Sequence, residues 1–270
     1  MAGIIHSFPR IVLVGCGNMG VALLKGWQRE GLTPQGVRII EPQPAKVPQG
    51  FTTLADPSRI EKGFKPEVVL FAVKPQALAE VLPGYREFAG EGALMVSIAA
   101  GKKTGFYESL LGPCRLARVM PSTPALVGEG ASVAVGNAAV TEADRAVVTR
   151  LLESVGTCHW VADEAIMDAV TALSGSGPAF VFYVAECLAA AGEKLGLSKE
   201  LSVALAVQTI RGSGILASES EQSLEALRHA VTSPGGTTEA GLKLLMDGRL
   251  QKVLEETLAQ ACKRGRELSE

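Results

Sequence analysis

Residues 11–30 constrain this chain more than any other stretch. Ile11-Val-Leu-Val14 is a short continuous apolar run, Gly15-Cys-Gly17-Asn-Met-Gly20 follows at once, and a helical pattern then continues through Glu30. A buried strand that feeds a glycine turn and then a helix is the local context of a dinucleotide-binding βαβ unit. Glycine spacing alone carries little weight, because 30 glycines in 270 residues give roughly 0.4 accidental GxGxxG matches. The chain contains such a decoy: Gly212-Ser-Gly214-Ile-Leu-Ala217 continues the helical segment Ala204 to Ile210, so it is assigned to helix packing. Glu41 separates the two cases. It ends a second apolar run, Val37 to Ile40, 21 residues after Gly20, where an acidic side chain accepts hydrogen bonds from the adenosine ribose hydroxyls. A purely structural glycine turn is the competing reading, and the Glu41 spacing tells against it.

Apolar runs recur at Val68 to Val73, Leu94 to Ile98, Leu116 to Met120 and Ser132 to Val135, separated by helical stretches. That alternation predicts an α/β, Rossmann-like, doubly wound and mostly parallel sheet. Ligands of such sheets sit beyond the strand carboxyl ends, so three following segments are candidates: Val73-Lys74-Pro75, Ala99-Ala100-Gly101 and Met120-Pro121-Ser122-Thr-Pro124. Lys74 fits a phosphate or ribose contact and equally a solvated turn.

After Val161 the strand signal stops and the remainder reads as helix: Glu164 to Leu173, Pro178 to Leu195, Lys199 to Ala217, Ser223 to His229, Thr238 to Met246 and Leu250 to Leu268. Two domains are therefore expected, a dinucleotide-binding domain over 1–162 and an all-α domain over 163–270. Ala179 to Ala191 and Leu201 to Ile210 are apolar around most of their circumference, which a surface helix is not. The small helical half implies that another copy of the chain covers them. Ser174-Gly-Ser176-Gly-Pro178 reads as a tight turn between two helices, with Pro178 in the first turn of the second and Ser176 as its cap.

Hydrophobic residues make up 47% and charged residues 20% of the chain, and the mean hydropathy is +0.24. The net charge of −2 with no Lys/Arg run argues against a nucleic-acid partner. Five scattered cysteines, Cys16, Cys114, Cys158, Cys187 and Cys262, predict reduced thiols in a cytoplasmic protein. The start MAGIIHSFPR has no signal-peptide or transit pattern, and no unbroken apolar run reaches about 18 residues. His6, His159 and His229 are far apart without HxxxH or HExxH spacing, so no metal site is expected.

Val231 to Leu242, VTSPGGTTEAGL, carries the second chemical signal. A Pro-Gly-Gly-Thr-Thr turn opening into a helix presents free backbone N–H groups to a small carboxylate, with the Thr237 and Thr238 hydroxyls beside them. A merely capped helix start is the alternative. Gly175-Ser-Gly177 lacks the preceding strand of a nucleophile elbow, and no His, Lys or Tyr stands out as the base an alcohol dehydrogenase needs. Reduction of a cyclic imine asks for less. The nitrogen arrives protonated, and the protein holds the carboxylate, hydrogen-bonds the nitrogen and orients a nicotinamide.

These residues resemble the pyrroline-5-carboxylate reductase family. The shared motifs span nearly the whole chain in the family's order: GCGNMG, FAVKP (Phe71 to Pro75), SIAAG (Ser97 to Gly101), RVMPSTPALVGEG (Arg118 to Gly130), LSGSGPAF (Leu173 to Phe180) and SPGGTTEA (Ser233 to Ala240). The resemblance implies reduction of 1-pyrroline-5-carboxylate to L-proline with NADH or NADPH, the last step of proline biosynthesis. It implies an N-terminal Rossmann-like domain and a C-terminal helical dimerisation domain, in a homodimer or a decamer whose cleft combines one subunit's nucleotide domain with its partner's helices. On that resemblance Gly15, Gly17, Asn18, Met19, Gly20, Val73, Lys74, Pro75 and Ala100 would line the cofactor, and the reading of the residues themselves adds Cys16, Glu41, Ala72, Ala99, Gly101, Pro121 and Ser122. Substrate would meet Glu164, Ser233, Gly235, Gly236, Thr237 and Thr238, with the Thr238 hydroxyl at the ring nitrogen as the catalytic group.

Three departures from the family pattern stand out. Ser122 replaces the Asn of MPNTP, and Ser223-Leu224-Glu225 with Leu227-Arg228-His229 replaces the usual HPG and LKD. Glu41 stands where NADP users tend to carry small hydroxyl or basic residues, and its charge would repel a 2′-phosphate, so NADH is the expected preference. Two weaker readings share the scaffold: a related imine or β-hydroxyacid reductase, whose catalytic Lys has no evident place, and a cofactor-binding protein without catalysis.

Overall fold

The computed structural model describes residues 8–269; His6 and most of the MAGIIHSFPR segment lie outside them. The strands are β1 (Ile11–Val14), β2 (Val37–Ile40), β3 (Thr52–Leu54), β4 (Val68–Phe71), β5 (Leu94–Ser97), β6 (Leu116–Met120), β7 (Gly130–Gly136) and β8 (Gly156–Trp160). They form one eight-stranded sheet in the order β3-β2-β1-β4-β5-β6-β7-β8. Every neighbouring pair is parallel except β6 with β7. In β1, β4 and β5 every residue is buried, which is why these strands read as continuous apolar runs.

Successive residues of β1 serve opposite faces. Ile11 and Leu13 join Leu23, Leu24 and Trp27 of α1 (Asn18–Arg29) and Val148, Leu151 and Leu152 of α5 (Glu142–Glu153). Val12 and Val14 join Leu78, Leu82, Tyr85 and Tyr107, carried on the other face by α2 (Leu78–Val81), the turn into α3 (Arg86–Gly90), and α4 (Thr104–Leu111). Trp27 Nε1 donates to the Leu151 carbonyl at 2.7 Å, tying the helices of one face together. α5 starts with a reciprocal cap: Asp144 N–H donates to Thr141 Oγ1 and Thr141 N–H to the Asp144 carboxylate. The sheet order adds two strands to those expected. β3 has three residues, and β8 alternates half-buried with exposed positions.

Among the described residues beyond Trp160 the regular elements are helical, chiefly α6 (Met167–Val170), a π-helix over Thr171–Gly175, α7 (Gly177–Lys194), α8 (Lys199–Glu219), α9 (Leu224–Ala230), α10 (Thr237–Leu245) and α11 (Arg249–Ser269). The Ser174–Pro178 segment corrects one expectation. It is no turn between helices, since the π-helix leads almost directly into α7, and Ser176 makes no side-chain cap. The hydroxyls of Thr171 and Ser174 donate back to the Met167 and Val170 carbonyls. Gly175 abuts Met120, whose Cε would lie 2.5 Å from a Cβ there.

Two compact units result, one running through Gly175 and completed by the residues from Ala261 onward, the other Ser176–Gln260. Compactness thus divides the chain later than the expected 162/163 boundary. The reason is local: the residues from Glu164 to Gly175 bond or pack against β6 and the start of α4. In the second unit α7 and α8 pair through small residues, with Ala189, Ser202 and Ala206 as its buried positions. Phe182 and Tyr183 are left 64% and 66% exposed, and Leu205 and Val207 are also open. Glu164–Lys194 and Lys199–Glu219 are long and apolar enough to cross a membrane by length and composition.

Candidate active site

The glycine loop is built by three different constraints. Gly15 has φ +87°, and a Cβ there would lie 2.8 Å from Val73 Cγ1 and 2.9 Å from the Ala72 carbonyl oxygen. A Cβ on Gly20 would lie 2.7 Å from the Gly15 carbonyl oxygen, so α1 sits tight against the loop. Gly17 faces open space. These are the tight turn, the close helix packing and the unobstructed backbone that a pyrophosphate site requires. Gly17 is the N-cap of α1 and supplies no side-chain bond, which leaves the N–H groups of Asn18 and Met19 free for an anion. The loop therefore fits a dinucleotide on its own geometry.

Glu41 closes the loop from the next strand. Its carboxylate accepts from the Cys16 N–H at 2.9 Å and from the Gln43 N–H at 3.0 Å. Cys16 itself points into the core, 2% exposed. Burial, reinforced by the nearby Glu41 charge, pushes its thiol up to about 11, so its place in the loop is structural and not nucleophilic. Lys46 Nζ donates to Asn18 Oδ1 at 3.0 Å, placing a cation beside the start of α1.

The three strand-end segments take up different surroundings. Ala72 and Val73 pack against Gly15, while Lys74 is exposed and starts the turn Pro75–Ala77. Pro75, Ala100 and Gly101 line one cavity of about 260 Å³, with Lys102, Asp168 and Thr171. Ala99 is buried, and its N–H donates to Ser97 Oγ at 3.3 Å. After β6, Pro121 and Ser122 turn inward. Ser122 is 4% exposed, and its hydroxyl accepts from the Ala131 N–H at 2.9 Å. In place of the family's Asn, it pins the start of β7.

Glu164 lies in the first unit, on a short turn that Asp163 caps through the Ala165 N–H. Both its oxygens are engaged. Oε1 accepts from the Thr104 N–H at 2.9 Å and from Arg118 Nη1 at 3.0 Å, and Oε2 accepts from Thr104 Oγ1 at 2.9 Å. The Arg118 side chain is only 4% exposed.

The candidate substrate turn lies in the second unit. Gly235 has φ +69°, and its N–H donates to Glu239 Oε2 at 2.8 Å. The Gly236 N–H donates to the Ser233 carbonyl at 3.0 Å. A Cβ on Gly236 would overlap Ser233 Oγ. With Gly236 as N-cap and no side-chain cap bond, the N–H groups of Thr237 and Thr238 have no intrahelical acceptor. Both threonines are exposed. The turn is thus held rigid from behind by Glu239 and Ser233 and open in front.

Thr104, Arg118, Lys46 and Glu239 were given no role on sequence grounds. Two had readable signals: an acidic residue at the third helical position for Glu239, and a charge inside an otherwise apolar strand for Arg118. Thr104 and Lys46 had none.

Comparison with known proteins places this geometry. The family described as pyrroline-5-carboxylate reductase dimerisation matches residues 164–268, and the family described as NADP oxidoreductase, coenzyme F420-dependent, matches 10–101. The pyrroline-5-carboxylate reductase of Pseudomonas aeruginosa is 40% identical over 268 residues, 98% of each chain. Among solved structures, a pyrroline-5-carboxylate reductase from Coxiella burnetii superposes with a TM-score of 0.93 at 34% identity, covering 98% of this chain and 100% of that one. The Plasmodium falciparum pyrroline carboxylate reductase with NADP bound gives 0.81 at 29% identity, covering 97% and 98%. Three-glycine loop, acidic strand end and Gly-Gly-Thr-Thr turn thus occur in a chain that belongs to the pyrroline-5-carboxylate reductase family.

Proposed function

We propose that this chain reduces 1-pyrroline-5-carboxylate to L-proline with a nicotinamide cofactor, in the cytoplasm, as a homodimer. The Gly235–Thr238 turn carries the reading: two backbone N–H groups without helical acceptors, two exposed hydroxyls and no ionisable side chain in the turn. Such a cradle suits a carboxylate next to a group that needs no base.

In this assignment the N–H groups of Thr237 and Thr238 hold the substrate carboxylate, with Ser233, Gly235 and Gly236 shaping the cradle. The Thr238 hydroxyl meets the ring nitrogen and fixes the face presented for reduction. Gly15 to Gly20 hold the pyrophosphate, and Glu41 accepts from the adenosine ribose. Ala72 to Pro75, Ala99 to Gly101, Pro121 and Ser122 flank the reacting half. The bound cofactor supplies a hydride to the imine carbon; with the nitrogen already protonated, the product is the neutral secondary amine. The carboxylate at Glu41 favours NADH over NADPH, because it disfavours a second anion at the ribose.

Spectrophotometric loss of NADH and of NADPH with racemic pyrroline-5-carboxylate, with proline identified as product, tests the reading. Turnover to proline with the higher kcat/KM for NADH is expected. A folded protein that binds NADH but leaves the imine unreduced would sink the reaction, and a higher kcat/KM for NADPH would sink the preference.

A further inference from the structure

We propose that Arg118, Glu164 and Thr104 are positioning residues, a part-buried charged clamp that sets the Ala99–Gly101 loop against the reacting half of the cofactor. This rests on the cofactor assignment above. A guanidinium buried inside a strand is unfavourable unless it is paired, and the Arg118 side chain, 4% exposed, finds Glu164 at 3.0 Å. The same carboxylate takes both the N–H and the hydroxyl of Thr104. Thr104 is the first residue of α4, and Lys103, the N-cap, supplies no side-chain bond. Glu164 therefore does the capping from 60 residues away, placing negative charge where a helix start favours it.

The capped helix is the far anchor of the loop that leaves β5. The near anchor is a second buried pair, Ser97 Oγ with Tyr107 Oη at 2.7 Å, the serine also accepting from the Ala99 N–H. Between the anchors lie Ala100 and Gly101, the latter at φ +80°, and both line the 260 Å³ cavity with Pro75. In a sheet ordered β2-β1-β4-β5, the adenosine half lies toward Glu41 and β2, so the loop after β5 serves the nicotinamide half. Glu164, with both oxygens committed, acts on the reaction through this loop instead of touching the imine.

ADP-ribose, which lacks nicotinamide, separates the possibilities when titrated beside NADH against the full-length protein by calorimetry. Glu164→Gln keeps the shape and removes the charge that Arg118 needs. It should weaken NADH about tenfold while leaving ADP-ribose within about twofold, with kcat lowered and the imine KM unchanged at saturating NADH. Thr104→Ala should shift NADH in the same direction, and Thr104→Ser should restore it. A raised imine KM with intact NADH affinity would make Glu164 a substrate contact, and equal weakening of NADH and ADP-ribose would make the cluster a general stabiliser. Either result overturns the proposal. If the unaltered protein bound neither ligand, the cofactor assignment would fall, and this inference with it.

Discussion

The sheet unit and the helical unit treat apolar surface in opposite ways. In the first, Phe71, Tyr85 and Tyr107 are at most 1% exposed and Trp27 is fully buried, closed in by helices on both faces of the sheet. In the second, the buried positions of the α7–α8 pair are an alanine, a serine and an alanine, while Phe182, Tyr183, Leu188 and Leu205 stay open. Full burial of one such large side chain is worth about 1.5–3 kcal/mol. The first unit is thus a finished core, and the second is a partial core that its own chain does not complete. That is the expected condition of a region matched by a dimerisation family, and a homo-oligomer completes it.

The contrast breaks most severely at Phe182. Phe182→Asp brings a carboxylate from each subunit into the covered face, at a cost of several kcal/mol per charge. Light scattering should show a monomer, with little remaining turnover; an intact, active oligomer would contradict the account. Trp27→Ala probes the other unit. It should lower stability by about 3–5 kcal/mol in denaturant titrations and leave the oligomeric state unchanged; dissociation instead would blur the distinction.

Two substitutions sharpen the comparison at the level of chemistry. Thr238→Ala, in the helical unit, should lower kcat about 10- to 100-fold, the worth of one hydrogen bond to a charged group, with NADH affinity preserved. Unchanged turnover would remove Thr238 from the mechanism. Glu41→Ser, in the sheet unit, should narrow the NADH/NADPH ratio by less than about tenfold and leave the imine KM alone; a ratio that stays put would clear Glu41 of any part in cofactor choice.

Thiols give the smallest and most local test. Burial raises the Cys16 thiol from 9.0 to about 11, so the folded state keeps its proton where the unfolded chain loses it. Its contribution to stability is therefore full below about pH 9 and is lost as pH rises toward 11. Alkylation of Cys16 should be negligible at pH 8 in the folded protein. Cys187, exposed on α7 in the single chain, should be protected in the oligomer and labelled in Phe182→Asp; equal labelling of both forms would place Cys187 away from the interface.

What the sequence made legible follows the range of each interaction. The glycine loop and Glu41 declare themselves because strand, turn and helix are contiguous and the acidic residue sits at a fixed spacing. The SPGGTT turn does so for the same reason. β8 was missed because GTCHW alternates without an apolar run, and β3 because three residues carry no period. The π-helix was hidden by Gly-Ser-Gly-Pro, which reads as punctuation although a wide turn of helix runs into it. Arg118 stands out in the sequence, but its partner is 46 residues away, and no spacing rule links them. The inward turn of Ser122 toward Ala131 is likewise a product of tertiary packing.

The first compact unit is discontinuous: α11 begins with the second unit, yet from Ala261 onward it belongs with the first, where Gly265 and Leu268 complete the cavity at Ala100 and Asp168. During synthesis on the ribosome, the sheet emerges early and must wait for nearly all the remaining chain before its last wall arrives. Removing only the final turns of α11 would therefore damage the part of the protein that was translated first.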